Sequence, residues 1–483
     1  MMSHIPNMPE KSGPDAGVCK ITVCGAGLVG SLLSIFLARR GFDVQVFEKR
    51  ADMRHQSVAA GRSVNLAISN RGINALRQVG LDREILKQSV QMKGRMIHSR
   101  EGKRSFFSYG TAESDCINSI SRATLNKVLL TAAEDTGRVH LNFARKVIAM
   151  NPRTRTIAVL AEDTGVASDY ETEILIGADG SASAMRDAIL RVPGWQFSQS
   201  ILEYGYKELL IPAASGGIFS LERNALHIWP RGNYMLIALP NFEGSFTCTL
   251  FLPLDGPVSF AALPSPELLR AFFQEQFPDV LPLLFDLEGT FFGNPTCRMA
   301  TIKCHPWNLG GQALVIGDAA HGIVPFFGQG MNCGFEDCSV FAQCLDEYGA
   351  GGQIDWARLF EDFVCRRKSN TDAIADMAVA NFQEMADKVA DVQFQKRKAV
   401  EKVLEKKFPG RYFSRYALVA FSYVPYRVAL EAGEIEERIL TELCLGLENP
   451  QDVDLQRADR LIDELLSPLL SLYTVELSPC LSH

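Results

Sequence analysis

The chain has 483 residues, a length that predicts two or three domains with a large core. Hydrophobic residues make up 47% and charged residues 22%, an ordinary balance for a globular protein. The formal net charge is −7 and no dense basic run is present, which argues against general nucleic-acid binding.

The N-terminus and the cysteines indicate the type of protein. Residues 1–17 mix Pro, Gly and charges of both signs, so we expect a flexible tail and no signal peptide. No run reaches the ~18 apolar residues that a transmembrane helix needs. None of the twelve cysteines forms a C-x-x-C pair, and several lie in apolar patterns. We therefore expect reduced, mostly buried thiols in a cytoplasmic protein, and no metal site.

The segment from residue 20 to residue 50 is the clearest unit. An apolar strand leads into Gly25-x-Gly27-x-x-Gly30, an amphipathic helix follows, and a second strand ends at Glu48. The first glycine permits a tight turn, the second lets the backbone approach a pyrophosphate, and the third lets the helix pack on the strand. The acid can accept hydrogen bonds from ribose hydroxyls and disfavours a 2′-phosphate. The unit predicts a site for FAD or NAD.

Two later strands also end on an acid. "EILIGADGSASAMR" contains Asp179, and "GQALVIGD" ends on Asp318, shortly before a helix that begins at Gly330. An acid can accept from a sugar hydroxyl, and a helix N-terminus offers bare N–H groups and a positive dipole end. Three such strand ends favour one extended cofactor that lies across several strands.

The spacing of the hydrophobic residues changes twice in the rest of the chain. Between residues 204 and 254, "ALHIWP", "YMLIALP" and "SFTCTLFLPL" alternate with period two and predict antiparallel strands of a separate sheet. From residue 355 onward the spacing is helical.

The three motifs together resemble the single-component flavin-dependent aromatic hydroxylases (class A monooxygenases). The resemblance covers residues 21–337 and implies an α/β, FAD-binding Rossmann-like architecture of the p-hydroxybenzoate hydroxylase fold. An antiparallel β-sheet substrate domain and a C-terminal helical region accompany it. The boundaries we expect are 18–75, 111–190 and 296–370 for the discontinuous FAD-binding domain, 76–110 and 191–295 for the substrate domain, and 371–483 for the helical region.

Further blocks resemble the kynurenine 3-monooxygenase family, among them "GRSVNLAISNRG", "MKGRMIHS", "ANFQEM" and "RYALVAFSYVPY". This narrower resemblance implies hydroxylation of L-kynurenine to 3-hydroxykynurenine with FAD, NADPH and O2, through a C4a-hydroperoxyflavin. The arylamine of the substrate activates the ring carbon, so no catalytic side chain is assigned.

The resemblance also implies the substrate site. Kynurenine carries a carboxylate and an aromatic ring, so its site needs an anion clamp and an apolar slot. Arg95 and Tyr109 match the carboxylate contacts, and the planar fork of arginine suits that group. Tyr416 and Asn381 match two further contacts. The residues expected around the ring are Leu226, Ile228, Phe251, Pro325, Phe326 and Gln329, with plain core packing an equal alternative for Ile228 and Phe251.

For the flavin, the resemblance directs the Gly330 helix toward the N1–C2=O edge of the ring, with backbone donors from Met331 and Asn332. Asp318 should accept from the ribityl or ribose hydroxyls. The further flavin contacts that we assign are Leu28, Arg50, Arg62, Leu66, Arg122 and Asp179.

Three positions, Phe327, His227 and His321, bear on whether a histidine takes part in the chemistry. Phe327 stands where relatives have His, so a proton relay at that position is in doubt. We interpret His227 and His321 as structural residues. Arg122 and Arg415 are the next candidates for the carboxylate clamp.

Alternatives stay open. The chain could be a class A hydroxylase of another aromatic acid, or a flavin-binding redox-sensing module without oxygenation. The C-terminal helices could present a face to a partner or a membrane surface. Sequence does not decide between monomer and homodimer, between NADPH and NADH, or where the nicotinamide cofactor docks.

Overall fold

The computed structural model describes residues 19–55, 65–110, 115–191, 194–384 and 392–477. In chain order, the strands are β1 (Lys20–Cys24), β2 (Asp43–Phe47), β3 (Asn65–Ile68), β4 (Val90–Met92), β5 (Gly94–His98), β6 (Arg104–Ser108), β7 (Ile117–Ser121), β8 (Val139–Asn142), β9 (Arg145–Asn151), β10 (Thr156–Ala161), β11 (Ala167–Glu171), β12 (Ile174–Gly177), β13 (Gln196–Ile211), β14 (Ala225–Pro230), β15 (Met235–Pro240), β16 (Phe246–Pro253), β17 (Cys297–His305), β18 (Asn308–Leu309) and β19 (Ala313–Val315).

The helices, in the same order, are α1 (Leu28–Ala38), α2 (Asn70–Gln78), α3 (Asp82–Lys87), α4 (Arg122–Glu134), α5 (Ala184–Ile189), α6 (Pro266–Gln276), α7 (Leu287–Gly293), α8 (Gly330–Gly349), α9 (Trp356–Gln383), α10 (Val392–Lys407), α11 (Arg415–Phe421), α12 (Tyr426–Leu443), α13 (Leu455–Leu461) and α14 (Ser467–Leu470).

A six-stranded sheet in the order β18-β19-β12-β1-β2-β8 forms the first layer. All its pairings are parallel except that of β18 with β19. Strands β1 and β12 are apolar and almost wholly buried, because helices cover both faces of a parallel sheet. Helix α1 packs against α4 and α8. The carboxyl ends of β1, β12 and β19 therefore lie side by side, as the three-motif pattern predicts.

A seven-stranded sheet in the order β17-β13-β16-β15-β14-β5-β6 forms the second layer. Its pairings are antiparallel, as the period-two pattern indicates, except that β5 runs parallel to β14. Side chains alternate between its faces. Trp229 and Phe273 belong to the core on one face, and Ile228 and Phe251 belong to a core shared with the C-terminal helices on the other.

The helical region after residue 355 closes the second face of this sheet. Helix α9 packs against α8 and α12, and α11 packs against α2. Among the residues described, no helix has the length and apolar character needed to cross a membrane. The C-terminal helices thus cover the face of the second sheet that carries Ile228 and Phe251.

Candidate active site

The turn after β1 is shaped by glycines at two positions where a side chain cannot fit. Gly25 has φ +98°, and a Cβ there would lie 2.5 Å from the Ala178 carbonyl oxygen. A Cβ at Gly30 would lie 2.0 Å from the Gly25 oxygen. A Cβ at Gly27 meets nothing within 4 Å. The turn therefore leaves open space in front of the N-terminus of α1, which is the space that a pyrophosphate requires, so these residues fit FAD.

Glu48 follows β2 and is buried beside the same turn. Its carboxylate accepts from the Ala26 N–H at 2.9 Å and from the Arg50 Nε at 2.9 Å. Burial works to raise the pKa of Glu48, but the hydrogen bonds and charge of Arg50 outweigh it and lower that pKa. The carboxylate is therefore ionised and is held where an adenosine ribose would reach it.

The central motif is fixed to the late motif by a residue that sequence reasoning did not single out. Arg186 is buried and donates to the Ala319 and Ser181 carbonyls at 3.1 and 2.8 Å. The Asp179 carboxylate accepts from the Ser183 hydroxyl and the Met185 N–H. Burial raises the pKa of Asp179 against these hydrogen bonds. Asp179 thus organises its own loop.

The late motif presents its acid to solvent. Gly317 has φ +62° and donates its N–H to the buried Asp337 carboxylate at 3.2 Å. Asp318, which follows, is exposed and is free to face a ligand hydroxyl. Helix α8 begins at Gly330, the residue expected from the sequence, after a left-handed turn at Gly328 (φ +68°).

The side chain of Asn332 fixes the start of α8. Its amide donates to the Ala67 and Gly328 carbonyls, and its oxygen accepts from the Ser69 N–H at 2.9 Å. These bonds anchor the start of α8 to the loop before it and to β3 and the residue that follows it, while the first N–H groups of a helix lack partners within the helix. Met331 is half-buried at the same edge.

Gln329 is held from two sides and is almost fully buried. Its Oε1 accepts from the Tyr426 hydroxyl at 2.9 Å, and its Nε2 lies 3.4 Å from the Ser69 hydroxyl. Tyr426 begins α12. Tyr426 could have been singled out from the sequence, because it ends the "RYALVAFSYVPY" block.

Arg95, Tyr109 and Tyr416 come together as the expected clamp. The two tyrosine rings stack with centroids 5.1 Å apart, and the guanidinium carbon lies 4.8 Å from the Tyr416 centroid and 5.6 Å from that of Tyr109. The Arg95 Nε and the Tyr109 hydroxyl are buried and have no hydrogen-bond partner among the residues described. Burial works to lower the pKa of Arg95, but Tyr416, Tyr109 and Glu384 hold it above its usual range. The clamp is a cation with unused donors, which suits a carboxylate.

Aromatic rings build the slot beside the clamp. Phe326 stacks on Phe382 at 4.1 Å and contacts Phe251 at 5.0 Å between centroids. Asn381 donates to the Phe326 carbonyl at 2.8 Å, so it fixes this loop. Ile228 and Phe251 are buried in the core of this face, whereas Leu226 is half-buried and Pro325 is exposed.

Phe327 follows Phe326 in the loop before α8. It is buried, and its ring stacks on that of Tyr416 with centroids 5.7 Å apart. An apolar ring therefore braces the clamp tyrosine there, and the position carries no titratable group.

A buried ionic network lies behind α8. Arg71 and Arg367 both pair with Glu336, and Arg367 also donates to Asp337 at 2.6 Å. Arg71 lies over the Tyr426 ring at 4.0 Å. These charges join α2, α8 and α9 to the C-terminal helices.

His321 belongs to the same network. Its Nε2 pairs with Asp337, while its Nδ1 is buried without a partner in the described chain. The Trp307 ring lies 5.3 Å from the His321 ring between centroids. Ligand atoms of His321, Cys333 and Asp337 lie within 4.8 Å of one another, a spacing that could hold a metal ion. The Arg367 guanidinium already supplies the positive charge that Asp337 needs. His321, which we interpreted as a structural residue, is thus hydrogen-bonded at its Nε2 and not at its Nδ1.

The remaining predicted flavin contacts are scattered. Arg62 lies outside the described residues. Arg122 is exposed at the start of α4, where its charge acts on Tyr206 and Glu208. Leu66 is half-buried on β3, and Leu28 is buried at the start of α1.

The chain is similar to known proteins in sequence and in fold. Residues 18–201 match the family described as FAD binding domain. The chain is 54% identical over 450 residues to "Kynurenine 3-monooxygenase" of Myxococcus xanthus, covering 93% of this chain and 96% of that protein. It is 41% identical over 457 residues to the protein of the same name from Dictyostelium discoideum, covering 92% and 98%.

Solved structures share the fold at low identity. A tetrameric form of 2-methyl-3-hydroxypyridine-5-carboxylic acid oxygenase superposes with TM-score 0.62 at 21% identity, covering 85% of this chain and 98% of that one. PqsL of P. aeruginosa, in complex with 2-aminobenzoylacetate, gives TM-score 0.61 at 16% identity, covering 77% and 97%.

Proposed function

Because the chain belongs to the kynurenine 3-monooxygenase family, we propose that it hydroxylates L-kynurenine to 3-hydroxykynurenine. The reaction uses FAD as cofactor and NADPH and O2 as co-substrates. The observation that carries the proposal is the buried clamp of Arg95, Tyr109 and Tyr416. Two of its polar atoms have no partner in the described chain, and it lies beside an aromatic slot.

The bound flavin supplies the redox and oxygen-transfer chemistry. The turn at Gly27, the ionised Glu48 and the exposed Asp318 support binding of its pyrophosphate and sugar hydroxyls. The N-terminus of α8 would face the part of the ring system that gains negative charge on reduction.

The chain itself orients the substrate and excludes water. The clamp would receive the substrate carboxylate, so the aromatic ring is directed into the slot of Phe326, Phe382 and Phe251. These rings are apolar and buried, so they exclude water from the reacting carbon. The arylamine of the substrate activates its own ortho carbon, and no side-chain base is required.

The test is anaerobic reduction of the flavin by NADPH, followed with and without kynurenine. We expect kynurenine to accelerate reduction, because the cofactor must respond to an occupied slot. A kynurenine analogue blocked at the carbon ortho to the amine should also accelerate NADPH oxidation, but in air it should yield hydrogen peroxide in place of hydroxylated product.

The same experiment separates the alternatives. Acceleration by a different aromatic acid and none by kynurenine would indicate a hydroxylase of another substrate. Bound flavin whose reduction no aromatic ligand accelerates would indicate a redox-sensing module. Hydroxylation of kynurenine at another carbon would contradict the regiochemical argument.

We also propose a cytoplasmic location. What supports it is that the cysteines in the described part of the chain are all free thiols, as expected in a reducing compartment.

A further inference from the structure

Two buried histidines lie behind the clamp strand. His98 ends β5 and His227 lies on the neighbouring strand β14; they are 0% and 1% exposed. Their rings belong to the face of the sheet opposite Arg95, because side chains alternate along a strand. The His98 Nε2 and the His227 Nδ1 are 2.9 Å apart.

Both outer nitrogens of the pair have acceptors. The His98 Nδ1 lies 3.0 Å from the Asp279 carboxylate, and the His227 Nε2 lies 2.8 Å from the Glu222 carbonyl oxygen. The same carboxylate accepts from the Trp229 indole N–H at 3.0 Å. Burial works to raise the pKa of Asp279, but the hydrogen bonds of His98 and Trp229 lower it, so it is ionised.

Counting protons fixes the charge of the pair. A carbonyl oxygen only accepts, so the His227 Nε2 must carry a proton, and the ionised Asp279 requires one on the His98 Nδ1. The contact between the rings needs a third proton. Two neutral imidazoles carry only two, so the pair holds one proton more and bears one positive charge.

The surroundings indicate where that proton lies. Burial, with the charges of His98 and Arg104, lowers the pKa of His227 to about 4 against the hydrogen bond to the Glu222 carbonyl and the charge of Asp279, which raise it. His227 is thus the neutral Nε2–H tautomer that accepts at Nδ1, and His98 is the imidazolium paired with Asp279. A buried cation with a carboxylate partner is an arrangement that a folded protein can tolerate.

Among the described residues, the other charged groups that act on the histidine pair are cations. Asp279 is therefore the main anionic partner of the pair. Arg104 of β6 acts on His227, and Arg231 donates to the His98 carbonyl at 3.1 Å. Arg231 also donates to the Gln276 carbonyl, and Arg100 donates to the Gln276 side chain. Glu222 contacts the pair through its backbone carbonyl.

We propose that this third proton lies on His98 and is donated to the His227 Nδ1, and that the charged pair is a positioning device that fixes β5, and with it Arg95, against β14. In the observed register Leu226 lies opposite Arg95 and Ile228 opposite Ile97. Slipping β5 by one residue would move Arg95 to the wrong face of the sheet. Within the described residues, β6 is the one strand beyond β5 in this sheet, and it is largely exposed. The histidine pair therefore ties the clamp strand to the interior of the sheet by side chains.

The direct test is ¹⁵N NMR of the FAD-loaded enzyme labelled at histidine, with signals assigned through His98→Gln and His227→Gln. At about pH 8.5, where an ordinary imidazole is neutral, we expect one imidazolium at His98 and one Nε2–H tautomer at His227. Two neutral imidazoles at that pH would overturn the proposal. This measurement requires no turnover, so it stands apart from the proposed function.

The positioning role is tested with Asp279→Asn, which keeps the shape of the side chain and removes its charge. We expect loss of the imidazolium signal and a rise in the KM for kynurenine of about two- to tenfold, with kcat and FAD content unchanged. The exposed His140, replaced by Gln, is the control and should change none of these. An unchanged KM in Asp279→Asn, or an equal fall in kcat, would contradict the positioning role. This arm rests on the proposed function; absence of kynurenine turnover in the parent enzyme would refute that function and leave the NMR result standing.

Discussion

Replacing Arg95 by Ala tests the clamp most directly. The guanidinium lies over two tyrosine rings, at 4.8 and 5.6 Å, and its Nε is buried without a partner in the described chain. A hydrogen bond to a charged group contributes about 1.5–3 kcal/mol, so loss of this contact should raise the KM for kynurenine about 10- to 100-fold. FAD content should not change, because Arg95 lies on the substrate sheet.

Arg95→Lys refines the prediction. Lysine keeps the charge but loses the planar fork and the stacking on the tyrosine rings, so we expect a smaller rise in KM, about tenfold. An increase in KM equal to that of the alanine variant would show that geometry, and not charge, dominates.

The assay compares kynurenine with its decarboxylated amine analogue, in the parent enzyme and in Arg95→Ala. If Arg95 binds the carboxylate, the substitution should weaken binding of kynurenine and leave binding of the amine nearly unchanged. The exposed Lys103, on the hairpin after β5, provides the control variant Lys103→Ala. Equal losses for both ligands, or an unchanged KM for kynurenine, would refute the clamp.

Three further outcomes follow from the structure. Tyr426→Phe should lower the free energy of unfolding by about 1–3 kcal/mol, measured by urea denaturation, because Gln329 loses its buried donor. Gly27→Val should fold with the thermal midpoint of the parent apoprotein and lose flavin, measured by absorbance, whereas Gly25→Ala should destabilise the apoprotein itself by about 1–3 kcal/mol because of its φ of +98°. Burial, with a neighbouring carboxylate, holds the pKa of Glu436 well above its usual range. The folded state therefore retains a proton that the unfolded state releases, and stability falls as pH rises from the ordinary carboxyl pKa up to the raised pKa of Glu436. Glu436→Gln should remove this pH dependence, because glutamine does not titrate. The unfolding midpoint of the variant should therefore exceed that of the parent by more at about pH 8 than at about pH 5. A flavin-replete Gly27→Val, or a pH-independent gain at Glu436, would contradict these arguments.

Local chemistry made much of the fold predictable. Gly25 and Gly30, on either side of Gly27, lie where the backbone comes too close for any side chain to fit. The period-two segments after residue 204 form β14, β15 and β16. The start of α8 at Gly330 was predicted because a glycine-rich turn has few other uses before an amphipathic helix.

The contacts that required three dimensions were not predictable. Nothing in the spacing of Arg71, Glu336 and Arg367 indicates that they meet, since they lie on three different helices. The parallel pairing of β5 with β14 is equally hidden, because period two does not distinguish strand directions. His98 was not singled out from the sequence, because its partner Asp279 is 181 residues away.

The network behind α8 also restricts how this sequence can change over time. Arg71, Arg367, Glu336 and Asp337 balance one another in the interior, so replacing any one of them leaves the buried set with one uncompensated charge, at a loss of about 3–5 kcal/mol. Replacing the set together by well-packed apolar residues removes that penalty. Single neutral substitutions at these four positions are therefore disfavoured, and α2, α8 and α9 are constrained to change together.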